Sequence, residues 1–205
     1  MKHPDLEVLG VSRETGERLG DFVALLSRWN SRINLTAERD EAALWQRHIL
    51  DSLQLGPLLP PGEDPIVDLG SGAGFPGLML ALVSGRETHL VESDRRKSAF
   101  LIEAARILGL PQVKVHPTRI DAAKLPPAAV VSARALAPLP DLLAHAHRIL
   151  TPGGVALFPK GRTAEQELTD AARAWIMRVE RFPSRTDPTA TILRISEIRP
   201  DGAPA

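Results

Sequence analysis

The apolar residues of this chain follow two rhythms, and the change between them falls near residue 64. Before it, spacing is helical. Leu19, Phe22, Val23, Leu26 and Trp29, with Leu25 and Ile33 nearby, recur three and four positions apart, which buries one face of a helix. Ser12 with Thr15 and Glu17 marks its start. A second helical segment is expected over 41–55, carrying Ala42, Leu44, Trp45, Ile49, Ser52 and Leu53, and Pro57, Pro60, Pro61 and Gly62 end it.

Beyond residue 64, short runs of β-branched and apolar residues alternate with helical stretches. Strands are expected at 66–68, 88–91, 113–116, 129–132 and 155–158, and a final pair at 176–182 and 191–198. Helices are expected at 78–83, 95–108, 139–150 and 163–175, the first with Pro76 in its opening turn, where a missing N–H costs nothing. Alternating strands and helices make a parallel sheet with right-handed crossovers. The last two strands have no long helix between them and so form an antiparallel hairpin at a sheet edge. The expected organisation is a helical extension (1–62), an α/β domain (63–199) and a frayed tail (200–205).

Composition narrows the class. Hydrophobic residues make up 43% and charged residues 24%, ordinary values for a soluble globular protein. No apolar run approaches the roughly 20 residues that cross a membrane, and the first residues, Met1-Lys-His-Pro-Asp-Leu-Glu, lack a signal peptide's apolar core. A cytosolic protein is expected. With no cysteine, disulfides, cysteine-bound metals and thiolate nucleophiles are excluded. Net charge is zero, which argues against indiscriminate polyanion binding but leaves room for a local basic face. No long exposed apolar stripe demands a partner, so a monomer is expected.

The chemistry concentrates in Asp68-Leu-Gly-Ser-Gly-Ala-Gly-Phe-Pro-Gly77, between the first strand of the α/β part and its helix. In open α/β sheets ligands sit beyond the carboxyl ends of the strands, where strand order reverses. Gly70, Gly72 and Gly74 let backbone approach a ligand closely. Gly72 to Gly77 also matches the dinucleotide pattern G-x-G-x-x-G. Three features favour S-adenosylmethionine over NAD. Asp68, at the strand end, can accept hydrogen bonds from a turn or a cationic ligand, and its carboxylate suits a cationic amino-acid end and repels a pyrophosphate. Phe75-Pro76 puts bulk where a dinucleotide helix needs small residues. The closing hairpin is the third. Glu92, about 20 residues on, stands where an acid takes two ribose hydroxyls, which fits either cofactor. Asp121, beside Ile120, is placed to meet an adenine amino group or to act as a plain helix cap. Arg134, after the fourth strand, is placed for the cofactor carboxylate or the substrate.

Together with Trp29-Asn-Ser-Arg-Ile-Asn34-Leu-Thr36, Arg47-His48-Ile-Leu-Asp51-Ser52-Leu53, Arg95-Arg-Lys97 leading to Phe100-Leu101, Ser132-Ala-Arg134-Ala and Lys160-Gly161, that loop makes the chain resemble the ribosomal small-subunit methyltransferase G family, also called glucose-inhibited division protein B. The resemblance covers about residues 20–162. It implies a class I S-adenosylmethionine-dependent methyltransferase: a Rossmann-like seven-stranded sheet with a C-terminal antiparallel hairpin, preceded by N-terminal helices. The implied reaction is N7-methylation of a guanine in the decoding-region (530) loop of 16S ribosomal RNA. Gly70 and Phe75 would be cofactor contacts, Ile120 and Asp121 would flank the adenine, and Arg134 would be a further contact. Ala133 separates Ser132 from Arg134 where relatives more often join them, and Asp121 stands where many have Glu.

The residues permit that chemistry. Carbon-5 pyrimidine methylation normally needs a cysteine, and exocyclic amine methylation usually an Asp/Asn-Pro-Pro-aromatic motif, where this chain has Ser132-Ala-Arg134. Guanine N7 already carries a lone pair and loses no proton, so alignment and desolvation suffice. Ribose and protein methylation stay open on this argument. An RNA-facing surface is expected from Arg28, Arg32, Arg39, Arg47 and His48, from Arg95, Arg96 and Lys97, and from Lys160 and Arg162.

Overall fold

The computed structural model describes residues 11–202. The signal-peptide reading of residues 1–7 and the tail reading of 203–205 lie outside the described residues.

Helix α1 (Arg13–Asn30) begins at Ser12, whose hydroxyl accepts from the Thr15 amide. Its buried face, with Leu19, Phe22, Val23, Leu25 and Leu26, is the one the spacing predicts. The chain then loops through 31–40, pinned by Asn30. That side chain is buried, accepts from the amides of Leu35 (2.9 Å) and Thr36 (3.1 Å), and donates to the carbonyls of Thr36 and Glu38. Asn30 therefore satisfies a turn's backbone from inside the core.

The next helical run departs from expectation. It opens as α2 (Glu41–Leu44), widens into a π-helical stretch (Trp45–Leu50) and closes as α3 (Asp51–Leu53). Apolar residues sit in pairs five apart, Leu44–Trp45 and Ile49–Leu50, and all four are buried. A wider turn keeps both pairs on one face, whereas a 3.6-residue turn would rotate the second pair away.

The α/β part contains β1 (Ile66–Leu69), α4 (Gly77–Ser84), β2 (Thr88–Val91), α5 (Arg95–Ile107), β3 (Val113–His116), β4 (Ala128–Ala133), α6 (Leu139–Ile149), β5 (Leu150–Lys160), α7 (Ala164–Ala171), β6 (Trp175–Pro183) and β7 (Thr191–Pro200). The strands form one sheet in the order β3-β2-β1-β4-β5-β7-β6. The first five run parallel, and β7 runs antiparallel to β5 and β6. This is the expected seven-stranded sheet with its closing hairpin. The order reverses between β1 and β4, so the loops after these strands border the crevice.

Several boundaries move. Pro76 precedes α4 as its N-cap rather than lying in its first turn. The helix expected to reach residue 175 stops at Ala171, and Trp175 opens β6 opposite Pro200. β7 runs through Pro200, and the Asp201 amide donates to the Ala174 carbonyl, so residues 200 and 201 belong to the sheet edge rather than to a frayed tail.

The N-terminal helices have no core of their own. Phe22 and Trp29 of α1 meet Phe100 of α5 with ring centres 6.2 and 5.9 Å apart, and Trp29 Nε1 donates to Glu103. The same cluster runs through Leu53, Phe75, Leu78 and Leu101. The change of style near residue 64 is thus not a boundary between cores, and α1–α3 roof one side of the crevice.

Candidate active site

The loop after β1 is built on its own backbone. Its turn closes through Ser71 N to Val91 O (3.0 Å) and Gly74 N to Ser71 O (2.7 Å). Gly72 has φ +54, and a Cβ there would meet only the Gly70 carbonyl, at 3.8 Å. A side chain at Gly72 would therefore project into the open crevice. Gly70 packs under Leu136, and Gly74 packs on Leu78.

Glu92 supports this loop. Its Oε2 accepts from the Gly72 amide (2.9 Å) and its Oε1 from the Asp94 amide (2.8 Å). Each oxygen keeps a second lone pair, so a ribose diol can still donate to a carboxylate whose position is fixed.

Asp68 lies deeper than the sequence reading places it. It is fully buried beneath the loop, with Ser132 Oγ donating to its Oδ1 at 2.6 Å, as the register of β1 on β4 dictates. Its Oδ2 has no hydrogen-bond partner. Burial pushes its pKa up to about 6. Of the two partners the sequence allows, a turn or a cationic ligand, the structure shows Asp68 bonded within the protein beneath the loop.

Phe75 is also buried, at 3% exposure. His48 stacks on its ring (5.1 Å, 18°), Phe22 meets it edge-on (5.7 Å), and the Arg134 guanidinium stands 5.3 Å from its centre. The π-helical stretch supplies this lid through His48, which pairs with Glu38 Oε2 at 2.7 Å. Burial and the Arg134 charge hold His48 below its ordinary pKa. Arg134 donates to the Arg47 carbonyl (3.1 Å) and faces Asp51 Oδ2 at 3.7 Å. Glu38 and Asp51 are the members of this cluster that the sequence reading leaves without a role. The signal for Asp51 was its place in Arg47-His48-Ile-Leu-Asp51, one helical turn from the basic pair.

Next to Arg134 a cavity of about 760 Å³ opens at the carboxyl ends of β4 and β5, closed on the far side by the β6–β7 loop. Its walls include Leu136, Pro138, Pro159 and Ile192. Ala135, on its rim, holds φ 50, a conformation that non-glycine residues rarely adopt and that recurs at functional sites.

Other expected contacts are placed differently. Lys160 lines the cavity, but its ammonium is held by Glu167 (2.7 Å) with only 11% of the side chain exposed. Glu167 also accepts from the Leu139 amide, so Lys160 ties α7 to the start of α6 and is spent inside the protein. Asp121 is exposed and engaged by Arg148 Nη2 at 3.4 Å, with His145 at 3.8 Å. Its carboxylate turns to the last turn of α6, and Ile120 packs into the core beside it. Arg95 and Arg96 are exposed and Lys97 half-buried at the start of α5, and Arg28, Arg32, Arg39, Arg47 and Arg162 are also exposed. Arg162 stands between Gly161 and Thr163, which line the cavity, while Arg47 reaches Glu38 Oε1 at 3.4 Å.

A sheet in this order, with a reversed hairpin, a glycine loop at the switch point and an acid after β2 holding that loop, defines a class I S-adenosylmethionine-dependent methyltransferase. Solved structures carry the same fold. A SAM-dependent methyltransferase from Aquifex aeolicus superposes with TM-score 0.58 at 14% identity, covering 75% of this chain and 91% of its own. TYW2 of M. jannaschii, solved with AdoMet, gives 0.58 at 14% identity, covering 83% and 80%. The chain belongs to the rRNA small subunit methyltransferase G family, whose model matches residues 15–189. The protein named ribosomal RNA small subunit methyltransferase G in Rhodospirillum centenum is 58% identical over 193 residues, which are 94% of this chain and 89% of that one. The cofactor is S-adenosylmethionine, and the residues fit it: Gly72 leaves open the space a Cβ would fill, Glu92 is fixed for a diol, and the buried Asp68 puts negative charge under a cationic ligand.

Proposed function

We propose that this enzyme methylates N7 of one guanine in the 530 loop of 16S rRNA, acting as a monomer on the small ribosomal subunit or its RNA. Gly70, Gly72, Gly74 and Glu92 hold the cofactor at the crevice, with Asp68 and Phe75 supporting the loop from below and Arg134 beside it. The Ile120 backbone, with Asp121 at the surface, borders the adenine side. Bound S-adenosylmethionine supplies an electrophilic methyl group.

The observation that carries the reading is a cavity, next to the cofactor loop, whose acids are already engaged. Asp51 is paired with Arg134 and takes three hydroxyl or amide donors. Burial raises Glu167, but its hydrogen bond and ion pair with Lys160 outweigh that and leave its pKa below the ordinary value. Glu167 is held as a carboxylate, Asp51 is occupied by its donors, and guanine N7 needs no proton taken. The chain's work is to align the base and exclude water, which supplies up to roughly 7–11 kcal/mol in well-oriented systems. Around the mouth, exposed Arg47 and Arg162 suit phosphates. His48 works through its stack on Phe75, and Arg95, Arg96 and Lys97 add positive charge near the cofactor side.

The test is to incubate the protein with methyl-labelled S-adenosylmethionine and purified small subunits. Label is expected in 16S rRNA at about one methyl per particle. Label in ribosomal protein or in a small metabolite, with none in RNA, would overturn the proposal.

A further inference from the structure

We infer that Asp51 is a positioning residue that sets two walls of the acceptor cavity at once. It holds Arg134 at the border with the glycine loop and clamps the β6–β7 loop over the opposite side. The inference rests on the reading of this cavity as the acceptor-base site.

The geometry divides the carboxylate's two oxygens between the two walls. Oδ1 accepts from Thr186 Oγ1 (2.5 Å) and Gln54 Nε2 (2.8 Å), with Ser184 Oγ at 3.4 Å. Gln54 completes the clamp, because its Oε1 accepts from the Arg185 amide (2.8 Å) and its Nε2 donates to Ser184 Oγ (3.2 Å). The clamped loop lies 133 to 135 residues away in sequence and forms the cavity's far wall.

Oδ2 faces the other way, toward Arg134 at 3.7 Å. Arg134 is itself fixed by the Arg47 carbonyl and by the Phe75 ring, so it touches both the N-terminal roof and the cofactor loop. Both charges are largely buried, with 17% of the Asp51 side chain and 21% of the Arg134 side chain exposed. Removing one partner of such a pair leaves the other charge poorly solvated, and it relocates. Arg134 is followed directly by Ala135 and Leu136, which line the same cavity, so Arg134 stands within the wall it orders.

The two oxygens can be separated by substitution. Asp51→Asn keeps an acceptor for Thr186 and Gln54 and loses the charge facing Arg134. Thr186→Val removes only the hydroxyl that donates to Oδ1. Asp51→Ala removes both functions.

The experiment measures kcat and KM on purified small subunits for these three variants, with S-adenosylmethionine affinity by calorimetry and hydrogen exchange over residues 184–190. Asp51→Ala should raise KM and lower kcat, each by about tenfold or more, the scale of a lost hydrogen bond to a charged group. Asp51→Asn should keep KM within about threefold of the parent while the kcat loss persists. Thr186→Val should raise KM and speed exchange in the loop, with kcat unchanged. Parental kcat and KM in Asp51→Ala would overturn the inference. So would equal losses of kcat and KM in Asp51→Asn and Thr186→Val, which would mark Asp51 as a general structural residue. Should Asp51→Ala fail to fold, the Asn and Val pair still decides. Should the parent methylate no rRNA, the proposed function fails, while the exchange experiment still tests the clamp.

Discussion

Replacing Gly77 with alanine should destabilise the enzyme through one close approach. Gly77 opens α4 directly over the end of β1, and a Cβ there would lie 2.7 Å from both Cβ and Oδ2 of Asp68 and 2.5 Å from Leu90 Cδ2. Leu90 can turn its terminal methyl aside, but Asp68 Cβ is fixed by the central strand. The helix must therefore lift by about 0.7 Å to reach ordinary contact. Overpacking of this kind costs about 1–3 kcal/mol. Alanine's helix preference of about 1 kcal/mol applies to helix interiors, and Gly77 is the first residue of its helix, so the net loss stays at about 1–3 kcal/mol. For a chain of this size each kcal/mol moves Tm by about 2–4 °C, so a fall of about 2–12 °C is expected by circular dichroism. Because Asp68 supports the glycine loop, S-adenosylmethionine affinity should fall as well. Gly20, exposed within α1, provides the opposite sign: a Cβ there meets nothing within 4 Å, so Gly20→Ala should raise stability by about 0.5–1 kcal/mol. A Gly77→Ala protein as stable as the parent, or more so, would refute the claim that helix and strand touch here.

Gly72→Val should weaken S-adenosylmethionine binding by about tenfold or more, since its side chain would enter the crevice and its backbone is left-handed at φ +54; parental affinity by calorimetry would place the cofactor elsewhere. Asp68 makes a pH prediction. A carboxyl raised from 3.8 to about 6 binds its proton more tightly in the folded state, so its contribution to stability is full below about pH 4 and is lost as pH rises through about 6, by about 3 kcal/mol in all. Other carboxylates oppose this trend, so urea unfolding of Asp68→Asn and parent should be compared at both ends of the window, and their difference should shift in favour of the variant as pH rises. Lys160→Met should cost about 1–3 kcal/mol by leaving Glu167 unpaired, yet leave the salt dependence of RNA binding unchanged. Arg162→Ala should do the reverse, lowering the salt slope by about one with little effect on Tm.

What could be read before the fold was known was local. The glycine loop, the acid after β2 and the alternation of strands and helices depend on residues close together in sequence, and the glycine loop rests on backbone geometry that few residue types can satisfy. Glu92 was legible as the acid that follows the second strand, and the structure sets it on the Gly72 amide. The contacts that were not legible join distant segments. Nothing near Asp51 announces Thr186, 135 residues away; Glu167 lies only seven residues beyond Lys160, but which way the two side chains turn depends on how α7 packs against β5. The pairing of Asp121 with Arg148 was hidden for the same reason, since Arg148 belongs to a helix 27 residues further on. The resemblance implied a cofactor contact for Phe75, but nothing in its own segment shows its burial, which depends on His48 and Phe22 from the N-terminal helices. The π-helical turn was hidden because a five-residue pairing of apolar positions resembles an imperfect helical face.

The central claim is the atom that receives the methyl group. An N7-methylated guanosine, once reduced with borohydride, breaks its chain in aniline, and primer extension maps the break. After incubation of unmethylated small subunits with the enzyme and S-adenosylmethionine, a single new scission is expected at one guanine of the 530 loop. Labelled 16S rRNA that resists scission, or that breaks at a different guanine, would contradict the account.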